Sequence, residues 1–277
     1  MVAATDGMAD LRAWLQVLDM AGVTQLVADE PRPWATRDPV LRTSHAPATA
    51  ATPTRTPRVG RSAPADPAVA SARDLAAGCR DIEALIAAVE GFTLCPLART
   101  ATRACIADGD PSSPIMLIGE APGAEEDRQG KPFVGASGRL LDRMLAAAGR
   151  PRSTTWITNT VFWRPPGNRE PAAQELAMCL PFLERQIELI GPRVILFVGG
   201  IAARALLDQR DGVTKLRGRR FVYRLRDGRE IPARVMFHPA YLLRRPQMKS
   251  LAWRDLLGAV ALLDAEPATA TPSREGA

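Results

Sequence analysis

From residue 115 to residue 263 the chain alternates short apolar runs with stretches of helical period. Ile115–Ile118, Val194–Val198 and Val235–Phe237 are continuous apolar runs of strand length, the pattern of strands buried on both faces, and Trp156–Asn159 reads as a further short strand. Between them, residues 139–148 place Leu140, Leu141, Met144, Leu145 and Ala148 on one helical face, stopped by Gly149 and Pro151. Residues 172–190 repeat the pattern with Leu176, Leu180, Leu183, Ile187 and Ile190, and Pro181 is expected to kink that helix. Helices are also predicted over 74–89, 202–207 and 250–263. Residues 215–226 are strongly basic and predict a hairpin turning at Asp227 and Gly228. Strands alternating with helices predict an α/β fold, a three-layer α/β/α sandwich around a central, mainly parallel four-stranded sheet.

The ends of the chain have a different pattern. Residues 8–28 begin with helical spacing at Leu11, Trp14, Leu15 and Leu18. Residues 46–70 are rich in Ala, Thr, Pro and Arg, with too little large apolar surface to offset the entropy of ordering. The expected organisation is an N-terminal helical segment (1–43), a disordered linker (44–72), a catalytic domain (73–264) and a disordered tail (265–277).

Composition narrows the chemistry. The chain has 277 residues and a formal charge of +6, which weakly favours a polyanionic partner. Its four cysteines form no Cys-x-x-Cys pair, which argues against a zinc ribbon, and their irregular spacing fits free thiols in a reducing cytoplasm. Residues 1–10 lack the basic start of a signal peptide, and no apolar run is long enough to span a membrane. There are two histidines, and His45 lies in the linker, so any histidine chemistry in the folded part falls to His238.

The candidate chemistry collects just after the strands. Glu120, Asn159, Gly199 and His238 each fall at the end of a predicted strand, and parallel strands bring such positions to one edge, where open α/β sheets bind ligands. Taken singly, each residue has a plainer reading: Glu120 as a loop cap, Asn159 as a turn residue, Phe133 as core, His238 as a satisfied structural histidine. The acidic run Glu125, Glu126 and Asp127 reads equally as a solvated loop or as part of the chemistry, with Asp127 holding the turn. The arginines at 217–226 read first as a solvated face and second as phosphate contacts.

Five stretches, in order, resemble the uracil-DNA glycosylase superfamily, most closely its family 4: Gly119 to Asp127 with Gly130, Pro132 to Gly135, Ile157 to Asn159, Arg164 to Arg169, and His238 to Arg244. The resemblance covers roughly Arg80 to Leu263 and implies the fold of that superfamily. It also implies roles. Glu120 would position or activate water, with Gly119 and Ala121 beside it against the base. Phe133 would stack on the flipped uracil, Asn159 would read its O4 and N3 edge, and His238 would face O2. Gly135, Ser137 and Gly138, together with Arg164, Pro166, Gly167, Asn168 and Arg169, would contact DNA. The loop from Ala240 to Arg245, with Tyr241, Leu242, Leu243 and Arg244, would enter the vacated base position.

Family 4 proteins hold an iron–sulfur cluster on four cysteines, and here the chain departs from the family. Cys95 and Cys179 match two of those positions, whereas Phe92 and Trp163 occupy the other two. No cofactor is therefore expected, unless the fold brings Cys79 or Cys105 into the site. The reading is a monofunctional glycosylase that hydrolyses uracil from DNA and leaves an abasic site. No motif lysine supports a lyase step. The expected protein is a monomer, cytoplasmic and nucleoid-associated, with uracil-containing DNA as its partner. The alternatives are a uracil-DNA binding protein without turnover and a glycosylase shifted to hypoxanthine or xanthine.

Overall fold

The computed structural model describes residues 66–264. The expected N-terminal segment, most of the linker and the tail lie outside the described residues. The linker boundary is corrected at its inner end. Helix α1, Pro67–Gly78, starts within the stretch assigned to the linker, with Pro67 at its first turn and the Asp66 carboxylate accepting from the Ala68 amide.

The single helix expected over 74–89 is two. After α1 the chain breaks at Cys79, and α2, Ile82–Glu90, restarts with Asp81 as N-cap, its carboxylate accepting from the Ala84 amide at 2.7 Å. Asp81 competes for the backbone and so starts a new helix instead of continuing the old one.

The sheet has six strands rather than four: β1 Ala107–Gly109, β2 Ile115–Gly119, β3 Trp156–Asn159, β4 Val194–Val198, β5 Arg220–Arg224 and β6 Glu230–Met236. Their order is β1-β3-β2-β4-β6-β5. The inner four are mutually parallel, as expected, and each outer strand pairs antiparallel. β1 was not among the expected strands. Three residues without apolar alternation can pair through their backbone alone at a sheet edge.

Strand alternation divides the core into two layers. Met116, Ile118, Ile195, Phe197 and Val235 face a cluster with α1, α2, α5 (Ala173–Ile190) and α6 (Gly200–Leu207). Ile115, Leu117, Ile157, Leu196 and Val198 face the opposite cluster, with residues of α4 (Ala136–Ala147), α8 (Pro239–Arg244) and α9 (Lys249–Asp264). Side chains of successive strand residues point to opposite faces, so one apolar run serves both layers. The remaining helices are α3, Ala124–Gln129, and the single turn α7, Val213–Leu216.

Candidate active site

The carboxyl ends of β2, β3, β4 and β6 share one edge, and Gly119 and Asn159 are register partners there. A Cβ on Gly119 would lie 2.4 Å from both the Asn159 Oδ1 and the Phe133 ring, so only glycine lets these two side chains close over the strand end. Asn159 is 1% exposed, and its Oδ1 is buried without a hydrogen-bond partner. Buried polar atoms are normally paired, so an orphan acceptor at a strand end marks a place where a ligand donor fits.

Phe133 stands over this point in a left-handed conformation, with φ of 55°. That backbone costs a non-glycine residue roughly 1–2 kcal/mol and is held from three sides. Arg152 donates to the Phe133 carbonyl at 2.5 Å and to the Pro132 carbonyl at 3.1 Å, and it is itself fixed by Asp108 and Asp142. Gly138 lies against the same carbonyl, where a Cβ would sit 1.8 Å from the oxygen. The buried Glu126 carboxylate accepts from the amides of Val134 at 2.9 Å, Gly135 at 2.8 Å and Gly123 at 3.1 Å. It thereby ties the turn after β2 to the loop carrying Phe133.

His238 is the N-cap of α8, and its ring stacks on Phe133 with centroids 5.5 Å apart. Its Nδ1 accepts from the Ala240 amide at 3.2 Å, which puts the proton of the neutral ring on Nε2. Burial drives the imidazole pKa down to about 4, against a smaller upward pull from Glu126 and a further downward push from Arg244. The ring is therefore a neutral donor near pH 7. Gly199, with φ of 106°, packs beside it, where a Cβ would lie 3.5 Å from His238 Cβ.

Glu120 is half-buried at the same edge. Burial and the Glu170 carboxylate raise its pKa above the ordinary value, and Arg204 opposes them. Its backbone carbonyl accepts from the Thr160 hydroxyl at 2.6 Å, which fastens the end of β2 to the chain leaving β3. Ala121 packs against the first core layer.

The residues expected to touch DNA separate into groups. Gly135 caps α4, Ser137 is half-exposed, and Gly138 is buried under Phe133. Pro166, Gly167 and Asn168 form an exposed turn, with the Asn168 side chain accepting from Arg164 at 2.8 Å. Arg169 is committed to a bidentate pair with Glu175 at 2.8 and 2.6 Å. The segment expected as an inserting loop is the helix α8, in which Leu242 is fully buried while Leu243 is 44% exposed, with Tyr241 and Arg244 flanking it. Leu242 therefore belongs to the core, and Leu243 is the apolar side chain that faces outward.

The acidic run after β2 supplies structural supports, and Arg152 adds one that the sequence did not point to. Glu126 stands three residues after Gly123, the spacing of a capping box, which was a readable signal. Asp127, expected to hold the turn, holds the segment around Thr102 instead, accepting from the Thr102 amide at 2.7 Å and its hydroxyl at 3.0 Å. Glu125 is exposed and pairs with Arg128. Arg152 carried no local signal.

Cys95 and Cys179 are buried together, each perturbing the other's titration. Phe92, edge-on to Phe182 at 5.2 Å, and Trp163, edge-on to Phe162 at 6.1 Å, pack in the same core layer. Among the described residues no three His, Cys, Asp or Glu side chains come together as metal ligands. Two thiols do not supply the four thiolates that an iron–sulfur cluster needs, and the residues present do not fit one.

Residues 106–257 match the model of the uracil DNA glycosylase superfamily. A type-4 uracil-DNA glycosylase of Thermotoga maritima is 38% identical over 189 residues, covering 68% of this chain and 93% of that protein. The type-4 enzyme of Pyrobaculum aerophilum is 36% identical over 180 residues, covering 64% and 91%. That of Archaeoglobus fulgidus is 39% identical over 160 residues, covering 56% and 79%.

Proposed function

The chain belongs to the uracil-DNA glycosylase superfamily, and from that premise we propose that it turns uracil out of DNA and hydrolyses the N-glycosidic bond, leaving an abasic site. The observation that carries the reading is the unpartnered, buried Oδ1 of Asn159 beneath Phe133. Uracil offers an N–H at N3, which this oxygen accepts. Cytosine offers a lone pair there, which would leave the oxygen facing another acceptor. A site built around a polar contact discriminates strongly against a base that cannot make it.

In this mechanism the flipped base stacks on Phe133, recovering roughly 1–3 kcal/mol of the unstacking cost. As the bond from the sugar C1′ to uracil N1 breaks, its electron pair passes onto the base and charge grows at O2. The His238 Nε2–H donates there, and a neutral donor aimed at charge that develops only in the transition state accelerates the reaction. Water adds to C1′, and Glu120 orients it and receives its proton. The raised carboxyl of Glu120 makes it a stronger base than an exposed glutamate. Leu243 fills the gap left in the duplex, and the turn from Pro166 to Asn168 with the start of α4 holds phosphates.

A single-turnover assay tests this. An oligonucleotide carrying one uracil, single-stranded or opposite G or A, is incubated with the protein, treated with alkali and run on a gel. Uracil-dependent cleavage that is lost in Glu120→Ala and His238→Ala is the expected result. Binding to uracil DNA without abasic sites would overturn the hydrolytic reading, and full activity in both variants would overturn the site assignment. Cleavage of hypoxanthine or xanthine substrates in preference to uracil would overturn the reading of the base.

A further inference from the structure

The β5–β6 hairpin divides its arginines sharply by position. At the turn end, Arg224 pairs with Glu230 at 2.8 Å, Arg229 with Asp227 at 2.7 Å, and Arg226 with Glu184 at 2.5 Å. At the other end, Arg219, Arg220 and Arg234 have no carboxylate partner among the described residues.

Their setting keeps them unneutralised. Arg220 and Arg234 are register partners across the two strands, so two like charges face each other. The Arg234 guanidinium lies against α9, where a Cβ on Gly258 would sit 2.7 Å from Cζ, and its Nε is buried without a partner. Asp255, the carboxylate on α9 that acts on Arg234, already gives both oxygens to Arg217 at 2.8 and 2.9 Å. Arg219 lies over the Phe221 ring at 5.2 Å, on the face of the hairpin opposite Arg220 and Arg234, because Phe221 packs on the first core layer and Arg234 on α9.

The unpaired end adjoins the candidate active site. β5 runs antiparallel to β6, so Arg220 stands beside the strand end that leads to His238. Arg217 covers the Phe237 ring at 5.5 Å, and Phe237 packs on Tyr241 of α8 at 5.0 Å. A continuous path of contacts therefore joins the base of the hairpin to the helix that presents Leu243.

We propose that Arg219 and Arg220, backed by Arg234, form a phosphate-binding strip for the DNA backbone across the base of the hairpin, with Arg220 on the side of α8. The inference rests on the proposed function for the identity of the polyanion. The arrangement fits phosphates in particular: a phosphate beside Arg220 and Arg234 supplies the anion that their facing charges lack, and guanidinium forks match phosphate oxygens. The paired turn end of the same hairpin is left outside the contact.

The test compares two charge-matched double variants of the full chain, Arg219→Gln/Arg220→Gln and Arg224→Gln/Arg226→Gln. Binding to a fluorescently labelled duplex without uracil is measured by anisotropy between 50 and 200 mM salt, and uracil excision is measured on the same preparations. Two lost phosphate contacts lower the slope of log K against log salt by about 1.8. The unmodified protein should thus lose about 12-fold more affinity over that range than the first variant. The second variant should keep the original slope, and Arg220→Lys should retain most of it. Thermal melts equal to that of the unmodified protein establish that the variants fold, and Arg219→Gln alone, with about half the change, serves if the double variant melts early. An unchanged slope in the first variant, or an equal change in both, would overturn the strip. A protein that fails to excise uracil but shows the position-dependent slope would instead overturn the proposed function and leave the strip standing.

Discussion

Three adjacent carboxylates, Glu125, Glu126 and Asp127, look alike in sequence, and replacing Glu126 tests why they are not. Its Oε1 accepts two amides and its Oε2 a third, with the residue 8% exposed. Glu126→Gln keeps the shape but supplies only one acceptor oxygen. If that oxygen serves Val134 and Gly135, the new amide group meets the Gly123 N–H donor to donor. If it serves Gly123, two amides lose their partner. A hydrogen bond to a charged group contributes roughly 1.5–3 kcal/mol, and a buried donor left unpaired costs roughly 1–3 kcal/mol. The expected loss is about 2–4 kcal/mol, which for a domain of this size lowers Tm by roughly 5–15 °C. Glu125→Gln breaks only an exposed pair with Arg128 and should change stability by less than about 0.5 kcal/mol. Calorimetry or circular dichroism melts of the two variants, with single-turnover excision below both midpoints, make the comparison. Glu126→Gln should also slow excision, because Phe133 loses one of its three supports. A Glu126→Gln melt within 2 °C of the unmodified protein would refute the argument that this carboxylate organises the loop, whatever its activity.

Other outcomes follow from the same geometry. The His238 imidazole should titrate near 4 in the folded protein, well below its ordinary 6.5, and histidine NMR resolves it from His45; a midpoint near 6.5 would contradict its burial. Because the unfolded chain takes up that proton first, stability held above pH 6.5 should fall between there and pH 4, as denaturation midpoints across that window would reveal. Gly138→Ala drives a Cβ to 1.8 Å from the Phe133 carbonyl oxygen, so it should displace the loop, cost more than about 2 kcal/mol and abolish most excision; a fully active variant would mean the loop is not where Gly138 holds it. The purified protein should contain no stoichiometric iron and no brown absorbance, and Cys95→Ser should leave excision within about threefold. Iron near four atoms per chain would reverse the assignment of Phe92 and Trp163.

The legible parts of the fold are those in which side chains carry the instruction. β4 was readable to the residue because a central parallel strand must be apolar on both faces. β1 was not, because Ala107–Gly109 pairs through backbone groups and its side chains serve other purposes, such as the Asp108 contact with Arg152. The break between α1 and α2 was hidden because the apolar stripe continues across it, and a single capping Asp81 decides it. In the candidate site, Glu120, Asn159 and His238 were visible from their positions at strand ends. The supports of Phe133 were not, because Arg152 reaches it from beyond α4 and nothing near Arg152 in sequence points there. The buried place of Leu242 beside the exposed Leu243 depends on which way a one-and-a-half-turn helix is rotated, which six residues do not declare.

The two outer strands also bear on self-association. A parallel sheet ending in an apolar strand would offer a second molecule a ready template for sheet extension. Here one margin is only three residues long, with Asp108 held by Lys131 and Arg152, and the other presents Arg220 and Arg224 along its length. Two copies approaching along β5 would bring like-charged guanidinium groups together, with Glu230 offsetting Arg224 alone, before any ladder could form. The residues at the two margins thus disfavour extension of the sheet into a second copy.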